Sequence, residues 1–181
     1  QYNAAVSVAD HPTFKLMLQM LFFSGVRIGE LLALTIEDCN FDARTINIDK
    51  TLYRINGEPK IAPPKTKNSI RIVSMPAAIM DNLRAYIDRI YKPQKDTRIF
   101  MTSKSAFRYN MIKYAKNAGV SVIRIHDLRH SHVSLLIELG FSPHLIADRI
   151  GDTVQMVNNT YGHLYPNKQY EVAERLEKLM K

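Results

Sequence analysis

Between Thr45 and Met75 the apolar residues of this chain alternate, whereas elsewhere they recur at helical spacing, and that single change of period limits the folds open to it. Ile46 and Ile48 alternate with Thr45, Asn47 and Asp49, and Ile70 and Ile72 alternate with Ser69 and Arg71, the pattern of half-buried strands. Asn56-Gly57 marks a tight hairpin turn. Pro63-Pro64 cannot lie in a central strand, so Lys65-Thr66-Lys67-Asn68 belongs to a connecting loop or a sheet edge, from which lysines can reach outward. The expected fold is mainly α with a small antiparallel β-sheet at one edge, an α+β arrangement.

On the N-terminal side, Asp10 and Pro12 open a helix with Phe14, Met17, Leu18, Leu21 and Phe22 on one face, and Gly25 closes it. A short helix follows with Ile28, Leu31 and Leu32 inward and Glu30 three residues after Arg27. A guanidinium between two apolar runs is costly without an anion, so Arg27 meets either Glu30 or an incoming ligand. Beyond the alternating stretch, Pro76 starts a helix with Ile79, Met80, Leu83, Ile87 and Ile90 as its buried stripe. Ser103 caps another, with Phe107, Met111, Tyr114 and Ala115 inward and Lys104, Arg108, Lys113 and Lys116 mostly outward. Residues 126 to 139 form a helix with Leu128, His132, Leu135, Leu136 and Leu139 facing inward. His126 and Arg129 stand three apart in its first turn, where free N–H groups and the helix dipole favour an oxyanion such as phosphate. Gly140 ends this helix, Ser142-Pro143 opens one that ends at Gly151, and a further one from Thr153 carries Val154, Val157 and Tyr161 on one stripe. The last, from Gln169 to Lys181, has Val172, Leu176 and Leu179 on one face, to pack on its own domain or dock on a neighbour.

With 181 residues the chain can bury one substantial core, and its net charge of +8 asks for a polyanionic partner, nucleic acid ahead of an anionic membrane surface. The apolar run from Leu16 to Val26 is too short to span a bilayer. One cysteine, Cys39, rules out an intramolecular disulfide or a cysteine-rich zinc site. His126 and His130 stand one helical turn apart like a metal-binding pair, yet Asp127 is found where a zinc protease has Glu and no clear third ligand follows, so no metal is expected. The absence of a Gly-rich phosphate loop argues against nucleotide-driven chemistry.

Four stretches, Gly25-Val26-Arg27-Ile28-Gly29-Glu30-Leu31-Leu32-Ala33-Leu34, Lys65-Thr66-Lys67, His126-Asp127-Leu128-Arg129-His130 and Thr160-Tyr161-Gly162-His163-Leu164, resemble in that order the tyrosine recombinase (phage integrase) family. The likeness is nearest in look to integrases of conjugative transposons and phages of low-GC Gram-positive bacteria. It implies that residues 1–181 are the family's C-terminal catalytic domain, with its DNA breaking-rejoining fold, and that the core-binding and arm-binding domains lie outside this chain. It further implies a site-specific recombinase that integrates or excises a mobile element without cofactor. Tyr161 would attack a DNA phosphodiester, forming a 3′-phosphotyrosyl link and releasing a 5′-hydroxyl; the link keeps the bond's energy for rejoining. Arg27 and Arg129 would hold the non-bridging oxygens, Lys65 (or Lys67 if the loop register is one step off) would protonate the leaving oxygen, and His126 would act near the tyrosine hydroxyl. Lys67, Arg71, Lys104 and Arg108 are the expected DNA contacts, and His130 and His132 are assigned to packing and hydrogen bonding.

One position departs from the family pattern. Many relatives carry His or Trp at the sixth catalytic position, where Ile150-Gly151 is here followed by Asp152, an anion beside the expected phosphate that could turn away, be neutral or orient a neighbouring cation. The implied partners are double-stranded DNA attachment sites, bound as a homotetramer by a protein that is monomeric without DNA, in the bacterial cytoplasm. Two other readings stay open: a catalytically impaired DNA-binding remnant of an integrase, and type IB topoisomerase-like strand passage.

Overall fold

The computed structural model describes residues 2–64, 66–166 and 169–180. Helix α1 (Tyr2–Ser7), too short to register as a periodic stripe, lies across α2 (Pro12–Ser24), with the Tyr2 ring stacked on Phe22 at 3.8 Å. α2 is buried along Leu16, Met17, Leu18, Met20 and Leu21 and stops at Gly25, whose φ of 68° is a left-handed cap conformation. A side chain at Gly25 is also excluded from outside, because a Cβ there would come within 2.5 Å of the His132 ring. The turn leads directly into α3 (Ile28–Ala33).

The alternating stretch makes two small sheets. β1 (Cys39–Asn40), β2 (Thr45–Ile48) and β5 (Arg71–Ser74) pair antiparallel in the order β1-β2-β5, while β3 (Thr51–Ile55) and β4 (Glu58–Ala62) form a separate hairpin packed on α3. Asn56 and Gly57 turn that hairpin with φ of 51° and 86°, the two positive values a two-residue turn matched to strand twist requires. β2 faces as its pattern predicts, with Ile46 and Ile48 buried. β5 keeps the period but reverses the face: Arg71 and Val73 point inward, and Ile70 and Ile72 are exposed. Register explains the reversal, since Val73 pairs with Ile46 and Arg71 with Ile48, which carries Arg71 onto the buried side.

α4 (Ala77–Ile87) buries Ile79, Met80, Leu83 and Ile87 and ends before Ile90; α5 (Lys104–Asn117) begins at Ser103, whose hydroxyl accepts from Ala106 N–H, and buries Phe107, Met111, Tyr114 and Ala115. α6 (Asp127–Glu138) is rotated from the expected face. Leu128 and His132 are buried as expected, but Arg129, Val133 and Ile137 complete the inner face, while Leu135 and Leu136 are half-buried and Leu139 is exposed. The rotation arises because α6 packs against α2 on one side and α7 on the other. α7 (Pro143–Ile150), α8 (Val154–Tyr161) and α9 (Gln169–Lys178) complete the described residues, and α9 buries none of its own.

Two apolar clusters result. The larger joins α2, α3, α4 and α5 with β2 and β5; the smaller gathers Val133, Ile137, Ile146, Ala147, Ile150, Val157 and Tyr161. α6 contributes to both, Leu128 to the first and Val133 to the second, so the polar end of α6 lies at their seam. No described helix is long and apolar enough to cross a membrane.

Candidate active site

The seam is held by buried charge. Glu30, in the first turn of α3, is 3% exposed and accepts from the Arg27 backbone N–H at 2.9 Å and from Arg27 Nη1 at 3.0 Å. From β5, Arg71 donates to the same carboxylate through Nη2 at 2.9 Å and Nη1 at 3.4 Å, and gives its remaining donors to Ser69 O and Arg149 O. Burial pushes the Glu30 carboxyl pKa up, but the Arg71 contacts and charge, with help from Arg27, outweigh it and leave the pKa below the ordinary value. Arg71 is therefore not the exposed DNA contact that its sequence position suggested: at 9% exposure, it ties β5 to α3 and to the end of α7. Gly151 makes room for it, since a Cβ there would meet Arg71 Nη1 at 2.7 Å.

Arg27 and Arg129, far apart in sequence, come together across this frame. Arg129 is 4% exposed, with Nη1 donating to Gly25 O at 2.9 Å and Ile150 O at 2.7 Å. One nitrogen of each guanidinium is thus committed to the scaffold, Arg27 Nη1 to Glu30 and Arg129 Nη1 to two carbonyls. The two Nη2 atoms converge on one acceptor, Asp152 Oδ2, at 3.3 Å each. Burial and the neighbouring Arg27 cation pull the Arg129 pKa down to about 10, still cationic at neutral pH. Of the three readings left for Asp152, the structure has the one in which it meets neighbouring cations.

Tyr161 ends α8, whose start is capped by the Thr153 hydroxyl. The tyrosine is 7% exposed and belongs to the smaller apolar cluster; burial raises its pKa, Arg129 pulls it down and Asp152 raises it. Its hydroxyl lies 2.6 Å from His130 Nδ1, so the phenol donates when the imidazole proton is on Nε2. His126, expected at the hydroxyl, instead sets its ring edge-on to His130 with centroids 4.9 Å apart. Its pKa is lowered, first by burial and then by His130 and Arg129, which favours the neutral ring. Sequence spacing signals the pairing of His126 with Arg129 but not that of His130 with Tyr161, because α6 and α8 meet only in the fold. His132 has a structural place, accepting at Nε2 from Arg149 Nε at 3.1 Å.

Lys65 lies outside the described residues. Lys67 opens a 3-10 turn, Lys67–Ser69, and is exposed. Lys104 and Arg108, exposed one turn apart on α5, line a cavity of about 610 Å³ together with Arg27, His126 and Arg129. Arg124 lines it too, although sequence reading did not single it out. Lys104 also borders an adjoining cavity of about 460 Å³ lined by Arg54 and Arg98, so cationic side chains run outward from the arginine pair. This arrangement can bind a phosphate-sized anion, stabilise charge on it and set a phenol beside an imidazole proton acceptor.

Comparison with known proteins gives a consistent set of relatives. The model of the phage integrase family matches residues 2–168. The ICEBs1 integrase of Bacillus subtilis is 34% identical, over 94% of this chain and 50% of that protein. The integrase of Staphylococcus phage L54a is 28% identical, over 99% of this chain and 54% of its own length. The chain thus spans about half the length of the curated relatives it matches. Among solved structures, the Tn1549 transposon integrase in complex with transposon right end DNA superposes on the whole chain with a TM-score of 0.77 at 20% identity, covering 64% of the integrase. The catalytic domain of bacteriophage HP1 integrase aligns over 99% of this chain and 91% of its own, with a TM-score of 0.64 at 19% identity. At those identities the two structures bear on the fold, which is that of this family of catalytic domains.

Proposed function

The chain belongs to the phage integrase family, and from that premise we propose that it is the catalytic domain of a site-specific recombinase that cuts and rejoins double-stranded DNA through a 3′-phosphotyrosyl intermediate. The observation that carries the proposal is the convergence of Arg27 and Arg129 Nη2 on one anionic oxygen, beside the loop that leads into the helix bearing Tyr161. In the proposed reaction those donors grip the non-bridging oxygens of the scissile phosphate and stabilise the charge that grows on them. Tyr161 Oη attacks phosphorus and its proton passes to His130 Nδ1. The bond from phosphorus to the 5′-oxygen breaks, and that oxygen takes a proton from Lys65 or, failing that, Lys67. Reversal with a different 5′-hydroxyl joins the new strand.

Lys104, Arg108 and Arg124, around the cavity that contains the arginine pair, are the proposed backbone contacts. Assembly as a homotetramer on two DNA sites belongs to the same proposal, with the exposed Val172 and Leu176 of α9 available to pack on a neighbouring copy. The DNA complex of the Tn1549 integrase supports DNA as the partner, and action on bacterial DNA would place the protein in the cytoplasm.

The test uses the full protein and a nicked duplex carrying the end of the element that flanks its gene. The parent is expected to accumulate a covalent protein–DNA adduct, resistant to denaturant, and Tyr161→Phe is expected to bind the duplex with no adduct. Adducts persisting in Tyr161→Phe would defeat the proposal. Relaxation of plasmids regardless of sequence, with no strand exchange, would favour the topoisomerase-like reading.

A further inference from the structure

Two cations held side by side need an anion between them. Glu30 cannot neutralise both, because it is shared with Arg71 and meets Arg27 only through Nη1 and the backbone N–H. The remaining carboxylate is Asp152, and one of its oxygens accepts from both Nη2 atoms at 3.3 Å. Each guanidinium gives its Nη1 to the scaffold, and a phosphate entering between the arginines would need these two Nη2 donors. The two anions would repel at short range in a partly buried setting where water screens weakly. Asp152 is able to leave. Its side chain is 24% exposed against 5% for Arg129, and among the described residues its other oxygen, Oδ1, is tethered only to the N–H of Thr153, the next residue, at 3.0 Å.

We propose that Asp152 is a positioning residue that stands in for the phosphate, keeping the Arg27–Arg129 clamp formed and neutralised until a phosphate oxygen displaces its Oδ2. This deepens the reading of the two arginines as a phosphate clamp and rests on it. Because Asp152 immediately precedes Thr153, the cap of α8, displacement of the carboxylate acts on the start of the helix that ends in Tyr161. Loading of the clamp is thereby coupled to the element that carries the nucleophile. The charge is a cost to anion binding and a benefit to the unliganded protein, so removing it shifts the two properties in opposite directions.

The test titrates the 181-residue chain, carrying ¹⁵N-labelled arginine, with sodium sulfate at constant ionic strength and follows the Nε–H resonances of Arg27 and Arg129. Asp152→Asn is expected to bind sulfate about tenfold more tightly than the parent, while melting at a lower temperature without sulfate. Adding Arg27→Gln to that variant is expected to erase the gain. A residue that only holds the fold together would lower the melting temperature without raising sulfate affinity. Equal affinities within about twofold, or weaker binding by the variant, would overturn the role of Asp152 and leave the clamp standing. Absence of a sulfate-dependent shift in both proteins would overturn the clamp reading and this proposal with it. If Asp152→Asn does not fold, Asp152→Ser, which keeps an acceptor for the Thr153 N–H without the charge, takes its place: tighter sulfate binding supports the role of Asp152, and unchanged or weaker binding overturns it.

Discussion

His130 Nδ1, 2.6 Å from the Tyr161 hydroxyl, holds the place that sequence reading gave to His126. A general base must reach the proton it removes, so on the proposed reaction the two histidines separate by geometry. His130→Ala is expected to slow single-turnover adduct formation about 10²- to 10⁴-fold, the usual range for loss of a general base. His126→Ala, which removes an edge contact to the His130 ring, is expected to cost about tenfold through looser positioning of that ring. Rapid-quench measurements on the nicked duplex decide the point, and a larger loss from His126→Ala would refute the assignment. Arg27, Arg129 and Tyr161 were singled out by motifs local in the sequence and by the family resemblance those motifs carry, and the fold brings the two arginines onto one acceptor. His130 was not legible in this way, since nothing along the chain relates residue 130 to residue 161. Asp152 was legible as a departure, but its attachment to both arginines emerges only when three separate segments are folded together.

β5 shows how a correct period can still give the wrong face. Ile70, Ser69, Arg71 and Ile72 read naturally as apolar inside and polar outside, yet the strand turns Arg71 inward because Glu30 waits there and Ile48 sets the register. Hydropathy ranks residues one at a time and cannot anticipate a buried acid on another element that makes arginine the better inward residue. Breaking such a pair from one side leaves an uncompensated buried charge, at a cost of about 3–5 kcal/mol. Arg71→Met is expected to lose stability in that range in urea unfolding of this chain, while Glu30→Leu/Arg71→Met recovers most of it, because the orphaned carboxylate is gone. A loss below about 1 kcal/mol in Arg71→Met would mean that solvent or Arg27 satisfies Glu30 without Arg71. On the proposed reaction the recovered double variant should still form little covalent adduct in the full protein, since Glu30 is also what fixes Arg27 Nη1. By contrast, the Asn56-Gly57 hairpin, β2, the stripe of α5 and that of α4 as far as Ile87 matched their sequence patterns, each being decided within a few residues by turn chemistry or an unbroken apolar period.

Across the whole molecule, the two apolar clusters are fastened by α6, and the fastening includes a histidine that the fold keeps neutral. His132 is 3% exposed, packs over Gly25 at the end of α2 and accepts from Arg149 of α7, whose Nη2 in turn donates to Phe23 O on α2. Burial, reinforced by the Arg149 cation, lowers its pKa from 6.5 to about 4. The unfolded chain therefore takes up a proton at His132 before the folded chain does as pH falls. Stability from this residue is complete above about pH 6.5 and is lost as pH drops through the folded value near 4, up to about 3 kcal/mol in all. Glu30 acts in the same direction lower on the scale: its pKa is depressed, so its contribution is full above the ordinary glutamate value of 4.5 and disappears as pH falls below it. Acid unfolding is then expected in two stages, a gradual loss beginning near pH 6.5 and a steeper one below about pH 4.5. His132→Gln supplies a neutral acceptor for Arg149 that does not titrate, so urea-unfolding free energies of that variant should decline less than those of the parent between about pH 6.5 and 4.5, the remaining slope coming from His126, whose pKa the fold also lowers. If the two proteins decline in parallel over that interval, the pH dependence arises elsewhere and the seam between α2, α6 and α7 is not where protons loosen the fold.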